Sequence, residues 1–170
     1  MDKTLSNGDI EEFLGHKPNL ITYKELKKYN DIDKVLGKYG YVIILYETKQ
    51  NFGHWTLIFK RNKDTIEHFD SYGLKPDDEL DYIKPLFKIT NGTYQPYLTY
   101  LLLKSGYKIE YNEFPLQQMK KNINTCGRWI LLRLKFKSLD IYEFKKVLDK
   151  LLKKYKLKSY DELVTKLISI

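Results

Sequence analysis

The run Gly40-Tyr41-Val42-Ile43-Ile44-Leu45-Tyr46 is apolar at nearly every position and rich in β-branched and aromatic side chains. Successive strand side chains point to opposite faces, so such a run fits a strand buried on both. The rest of the chain must supply its cover. Trp55-Thr56-Leu57-Ile58-Phe59 and Thr65-Ile66-Glu67-His68-Phe69 predict two further strands, joined by a hairpin turn at Arg61-Asn62-Lys63-Asp64. Tyr107–Tyr111 predicts another strand. Short helices are expected around Ile10–Leu14 and Tyr23–Tyr29, and a third from Pro76 through Leu80 to Leu86, which Pro85 should end or kink. Pro96–Leu103 reads as a helix that stops near Gly106. Ile141–Leu157 and Ser159–Ile168 carry apolar residues three to four apart, each with one face for a core. Strands in the middle and helices at both ends make the expected class α+β, a small mixed β-sheet packed by helices. With no repeat, low-complexity linker or composition break, residues 1–170 read as one domain.

Composition narrows the function. No apolar run approaches the roughly 20 residues of a membrane span, and Met1-Asp2-Lys3-Thr4 offers no signal-peptide core. The one cysteine, Cys126, excludes an intrachain disulfide and suits a reducing compartment. With His16, His54 and His68 it matches no structural zinc spacing, so no metal is expected. The formal net charge is +8, carried almost wholly by lysine. Such a charge suits DNA or another polyanion. An A/T-rich genome explains it equally well, because its codons inflate Lys, Asn, Ile and Tyr. A membrane-surface role for the last two helices is the weaker reading, since apolar stripes of this kind usually face a core.

Cys126 lies in Asn124-Thr125-Cys126-Gly127-Arg128-Trp129, where an apolar helical run through Ile130, Leu132, Leu134 and Phe136 begins. Free cysteine is often inert packing. At a helix start, however, unpaired amides and the helix dipole favour a thiolate. Gly127 allows close backbone approach, and a small residue there leaves the Cys126 N–H free to bind an oxyanion. His54 and Asp70 add a base and a carboxylate, the parts of an activated thiol nucleophile. Asp70-Ser71-Tyr72-Gly73 reads equally well as a turn. In the hairpin, a register pairing Ile58 with Ile66 sets His54 opposite Asp70, and Trp55 opposite Phe69 on the other face. It gathers Trp55, Leu57, Phe59 and Phe69 on one apolar face, whereas a slip of one residue would part His54 from Asp70. Asp70 could then hold the His54 tautomer. His68 is the rival base, but its place inside a strand suits packing better, and His16 reads as a loop residue.

Gly53-His54-Trp55-Thr56-Leu57, Phe69-Asp70-Ser71, Gln117-Gln118-Met119 and Cys126-Gly127 stand in a familiar order. Over about Tyr41 to Phe136 the chain resembles the adenain-like and ubiquitin-like-protein-specific cysteine proteases. The resemblance implies a papain-like catalytic centre in a circularly permuted fold. It makes Cys126 the nucleophile, His54 the general base and later acid, and Asp70 the residue that orients His54. Gln118 would donate its side-chain N–H to the oxyanion beside the Cys126 backbone N–H. Gln117 is its rival, because the interval to Cys126 is two residues longer than in desumoylating members. Trp55 and Gly127 would serve substrate binding. Thr125 stands where desumoylating members carry an acid.

Small size, lysine-rich composition and the Thr125–Trp129 segment look most like the maturation proteases of adenoviruses, large DNA viruses and virophages. That likeness implies an endopeptidase that cuts capsid and core precursor proteins, often at Gly-containing sites. It implies a monomer without metal or organic cofactor, acting in the infected-cell cytoplasm and the virion. Some members take DNA as an activator, which a charge of +8 would suit. Two expectations compete. A deubiquitinating or desumoylating isopeptidase would need a broad surface for a folded modifier. A non-catalytic basic nucleic-acid-binding protein would leave the order His54, Asp70, Cys126 unexplained.

Overall fold

The apolar run at 41–46 lies inside a five-stranded sheet, and its neighbours in sequence face different cores. The computed structural model describes residues 1–170. In chain order its elements are α1 (Asn7–Leu14), β1 (Leu20–Thr22), α2 (Ile32–Leu36), β2 (Tyr41–Lys49), β3 (Phe52–Lys60), β4 (Thr65–Phe69), α3 (Pro85–Asn91), α4 (Tyr97–Leu103), β5 (Lys108–Tyr111), α5 (Cys126–Lys135), α6 (Ile141–Lys154) and α7 (Tyr160–Leu167). Single 3-10 turns cover Tyr23–Lys28, Gly37–Tyr39 and Asp78–Tyr82. The strands line up in sequence order, with β1–β2 and β4–β5 parallel and the two central pairings antiparallel. This is a mixed α+β sheet packed by helices. No helix is long and apolar enough to cross a membrane.

Alternation along β2 explains the layering. Tyr41, Ile43 and Leu45 join Trp55, Leu57, Phe59 and Phe69 in one core, closed by Ile10, Trp129, Ile130, Phe144, Leu148 and Leu163 from α1, α5, α6 and α7. Val42, Ile44 and Tyr46 join Ile58 and Ile66 in a second core, closed by α2, α4 and the 23–28 turn. Trp129, Phe69 and Phe144 are fully buried. Truncating an aromatic of this kind costs about 3–5 kcal/mol through lost transfer and the cavity left behind.

One polar contact fixes α5 on the sheet. Arg133 Nε and Nη2 donate to the two Glu67 carboxylate oxygens of β4 at 2.8 and 2.9 Å, with both side chains fully buried. Phe59 and Phe144 flank the guanidinium at 5.0 and 4.8 Å. Removing either partner would strand a buried charge, at a cost of about 3–5 kcal/mol. The pair thereby ties the helix that begins at Cys126 to the strand that ends beside Asp70.

Three expectations need correction. The hairpin pairs Leu57 with Phe69 and Ile58 with His68, a shift of two from the Ile58–Ile66 register. A shift of two preserves the faces, so the apolar grouping survives, but Asp70 falls past the end of the ladder rather than opposite His54. Pro85 opens α3 rather than ending a helix, because its missing N–H costs nothing at a first helical position. The helix expected from Pro76 onward is only the 78–82 turn. Strand β1 and helix α2 were not anticipated, being only three and five residues long.

Candidate active site

The polar cluster forms where β3 begins and β4 ends. Gly53 sits opposite a bulge in β2 between Glu47 and Lys49. A Cβ at Gly53 would lie 1.9 Å from the Tyr46 carbonyl oxygen, so glycine is required just before His54. His54 Nε2 donates to Asp70 Oδ1 at 2.8 Å. That leaves Nδ1 as the other ring nitrogen, and Cys126 lines the same cavity as the ring. Tyr72 stacks on the imidazole with centroids 4.4 Å apart and planes at 14°.

Asp70 is fully buried and held from several sides. Oδ1 also accepts the Tyr72 N–H at 2.8 Å. Its own N–H donates to Asn112 Oδ1 at 3.0 Å, and Asn112 Nδ2 donates back to its carbonyl. Burial alone would lower the His54 pKa and raise that of Asp70. The opposite charges and the hydrogen bond outweigh it, so His54 titrates well above its ordinary value and Asp70 below. His68 is also buried, but neither ring nitrogen has a partner, and burial lowers its pKa.

Cys126 is the first residue of α5, with Thr125 at the cap. Thr125 Oγ1 donates to Asp161 Oδ1 of α7 at 2.6 Å, and Asp161 Oδ2 accepts the Gln118 N–H at 3.0 Å. A cavity of about 320 Å³ opens over the thiol, lined by His54, Tyr72, Glu79, Gln117 and Cys126 among others. Gln117 is buried there. Its N–H donates to the Ser71 carbonyl at 2.9 Å, and its Oε1 accepts the Ser71 hydroxyl at 2.7 Å. Its Nε2 donates to the Ile123 carbonyl at 3.1 Å and reaches the Tyr72 hydroxyl only at 3.4 Å. Gly73 lets the 70–73 turn lie against this loop; its φ is +76°, and a Cβ would meet the Phe114 backbone at 2.7 Å.

The expected site residues thus separate. His54, Cys126 and Gln117 share one cavity, with Asp70 behind His54. Gln118 is absent from that cavity and lines a neighbouring one with Pro115, Met119 and Tyr160, which Gln117 also borders. Trp55 does not line the cavity over Cys126. It is packed in the core beneath α5, donates to the Leu5 carbonyl at 3.3 Å and borders an adjoining cavity. Gly127 does not face the cavity either. Its missing side chain makes room for Leu5, whose Cβ would stand 3.0 Å from an added Cβ. The segment before α1 accordingly lies against α5. Asn124 donates to the Met1 and Asp2 carbonyls, and Arg128 to that of Lys3.

Glu79 escaped the sequence analysis. It is buried on the 78–82 turn, with Oε1 3.6 Å from His54 Nε2. Burial, then the neighbouring Asp70, raises its pKa to about 8, although the His54 charge opposes this. Nothing in Pro76-Asp77-Asp78-Glu79 distinguishes this acid from a solvated helix start. Asp161 was equally invisible, since acids are ordinary in a first helical turn. One nitrogen of His54 and one oxygen each of Asp70 and Glu79 lie within 4.8 Å of one another. Two of these atoms face each other at 2.8 Å. The shortest of these contacts, His54 to Asp70, is a hydrogen bond.

No family model matches the chain. It is 50% identical over 161 residues to the uncharacterized protein V9 of Sputnik virophage, covering 95% of this chain and 91% of that protein. Among solved structures it is similar to the ASFV protease in two crystal structures, each with a TM-score of 0.45, at 16% and 15% identity. These alignments cover 85% of this chain but only 62% and 61% of the ASFV protease. The central domain of an uncharacterized Legionella pneumophila protein is similar with a TM-score of 0.37 at 13% identity, over 96% of this chain and 85% of that one.

Proposed function

The chain belongs to the family of the uncharacterized protein V9 of Sputnik virophage, and from that premise and the site's geometry we propose that it is a cysteine endopeptidase. The observation that carries the reading is the cavity over Cys126, shared with His54 and Gln117 while Asp70 holds the far nitrogen of His54. An inert packing cysteine has no need of a buried histidine–carboxylate pair beside it.

In this reading His54 Nδ1 takes the Cys126 proton, and the thiolate attacks a peptide carbonyl seated in the cavity. Negative charge builds on the carbonyl oxygen. Gln117 Nε2, with one hydrogen held only by the long contact to Tyr72, donates to that oxygen alongside the Cys126 backbone N–H. The imidazolium returns its proton to the leaving amine. Water, deprotonated by His54, then releases the acyl group. Asp70 keeps Nε2 protonated throughout and so fixes the tautomer that the first step needs.

The substrates proposed are virophage structural precursor proteins, cut at Gly-containing sites in the infected cell or the maturing particle. Exposed Lys146, Lys150, Lys153, Lys154 and Lys156 on and after α6 support polyanion contact as a further trait. If that contact is made to DNA, affinity should fall with a log–log salt slope of roughly −0.9 per phosphate engaged. The deciding experiment incubates the purified chain with virophage structural proteins and sequences the new termini. New termini that vanish with Cys126→Ala support the reading. Unchanged proteins, together with cleavage of an isopeptide-linked modifier, would replace it with the isopeptidase one.

A further inference from the structure

Two buried oxygen atoms at this site have no hydrogen-bond partner: Asp70 Oδ2 and Glu79 Oε1. Both belong to carboxyl groups that each bring an oxygen within 4.8 Å of the other. Two ionised carboxylates cannot satisfy one another, since each only accepts. A single proton between them resolves both atoms. We infer that Glu79 is a positioning residue that keeps its proton and donates it to Asp70 Oδ2, holding Asp70 with Oδ1 against His54. The inference rests on the reading of Cys126 and His54 as the reacting pair.

The surroundings agree. Glu79 is faced by His54 from β3, by Asp70 from the end of β4, by Tyr72 from the following turn and by Asp78 on its own turn. Cys126 of α5 and Lys120 line the same cavity, and His68 stands behind Asp70. The one ion pair open to Glu79 is with His54 at 3.6 Å, longer than a formed hydrogen bond, while Asp70 already occupies that nitrogen. Burial and the Asp70 charge keep the proton on Glu79 to about pH 8. Below that point the dyad carries one negative charge, which belongs to Asp70. Above it a second charge appears beside His54. It repels Asp70 and makes the imidazolium a poorer acid toward the leaving amine. Glu79 thus sets the alkaline limit of turnover by acting through Asp70 and His54.

The test uses the full chain and two readouts. Carbon-13 NMR of labelled carboxyl groups, with the Glu79 signal identified by its absence in Glu79→Gln, follows the titration directly and needs no substrate. A midpoint near pH 8 is expected; an ordinary carboxylate midpoint overturns the inference whether or not the chain proves to be a protease. The second readout is peptide cleavage against pH. Glu79→Ala should lose about 10-fold or more at pH 7, short of the about 10⁴-fold seen when a triad's orienting acid is changed. Glu79→Gln, whose amide still donates to Asp70 but never ionises, should recover most of that loss and flatten the alkaline decline. Glu79→Gln as slow as Glu79→Ala at pH 7, or a decline unchanged from the native chain, overturns it.

Discussion

Asp161 accepts the hydroxyl of Thr125 at 2.6 Å across 36 positions of chain, and with its other oxygen holds the backbone of Gln118. One buried carboxylate from α7 thereby ties the cap of the helix bearing Cys126 to the loop bearing Gln117. Asp161→Ala would strand the hydroxyl and the amide, each at about 1–3 kcal/mol. We expect a lower melting temperature, and a fall in kcat of about 10-fold or more with little change in KM. A double-mutant cycle with Thr125→Val should give a coupling of about 0.5–3 kcal/mol. Additive effects would show that the two residues act separately.

Gln117 rather than Gln118 should govern turnover. Removing one oxyanion donor costs about 10²–10³ in kcat. Gln117→Ala should show that loss, and Gln118→Ala should leave kcat within a few-fold, because Gln118 does not line the cavity over Cys126. Steady-state kinetics on one peptide substrate decides it; the reverse ranking would return the oxyanion role to Gln118.

His54→Ala should lose at least about 10²–10⁴-fold in cleavage, the usual worth of general acid–base catalysis. His68→Gln should keep the reaction but lose stability, since an amide has more donors and acceptors to satisfy where the buried ring already lacks partners. Activity assays paired with urea unfolding separate the two effects. A dead but stable His68 variant would contradict the assignment.

Stability should fall on both sides of neutrality, for different reasons. His68 is held neutral, its folded pKa lowered mainly by burial. Its contribution is present above the unfolded value of 6.5 and is lost as pH falls through the lowered one. Asp70, also lowered, adds a loss at still lower pH. Glu79 is raised from 4.5 to about 8, so its contribution is full below 4.5 and lost as pH rises through about 8. His54, raised as well, acts in the same alkaline direction. Urea midpoints from pH 5 to 9 should therefore form a dome, with the alkaline side flatter in Glu79→Gln.

Much of this architecture was legible because it rests on local periodicity. The two-sided apolar run gave β2, alternation gave the faces of β3 and β4, and three-to-four spacing gave α6 and α7. The hairpin register was not legible, since Ile58–Ile66 and Leu57–Phe69 put the same side chains on the same faces. Within the site, Cys126, His54 and Asp70 could be picked out by residue type and order. Gln117 and Gln118 could not be ranked, because loop direction depends on Ser71, a partner 46 positions away. Gly127 was read as an opening for substrate, yet the contact it makes room for is Leu5, from the far end of the chain. Glu79 and Asp161 left no trace, for an acid that opens a helical turn looks the same whether it meets water or a buried partner.

The strap of residues 1–5 along α5 bears on the order in which the molecule assembles. His54 on β3 and Asp70 just past the end of β4 lie 16 positions apart, a short loop to close. The grip of Arg128 on the Lys3 carbonyl spans 125 positions, and such distant contacts close late. Asp161, which steadies the cap of the same helix, follows Thr125 by 36 positions and is made after it. The histidine and its carboxylate can thus meet early, whereas the helix bearing the thiol is fixed by contacts to Lys3 and Asp161 that close later. A nascent chain carries an unarmed sulfur, and its reactivity toward a thiol reagent would report the final step of folding.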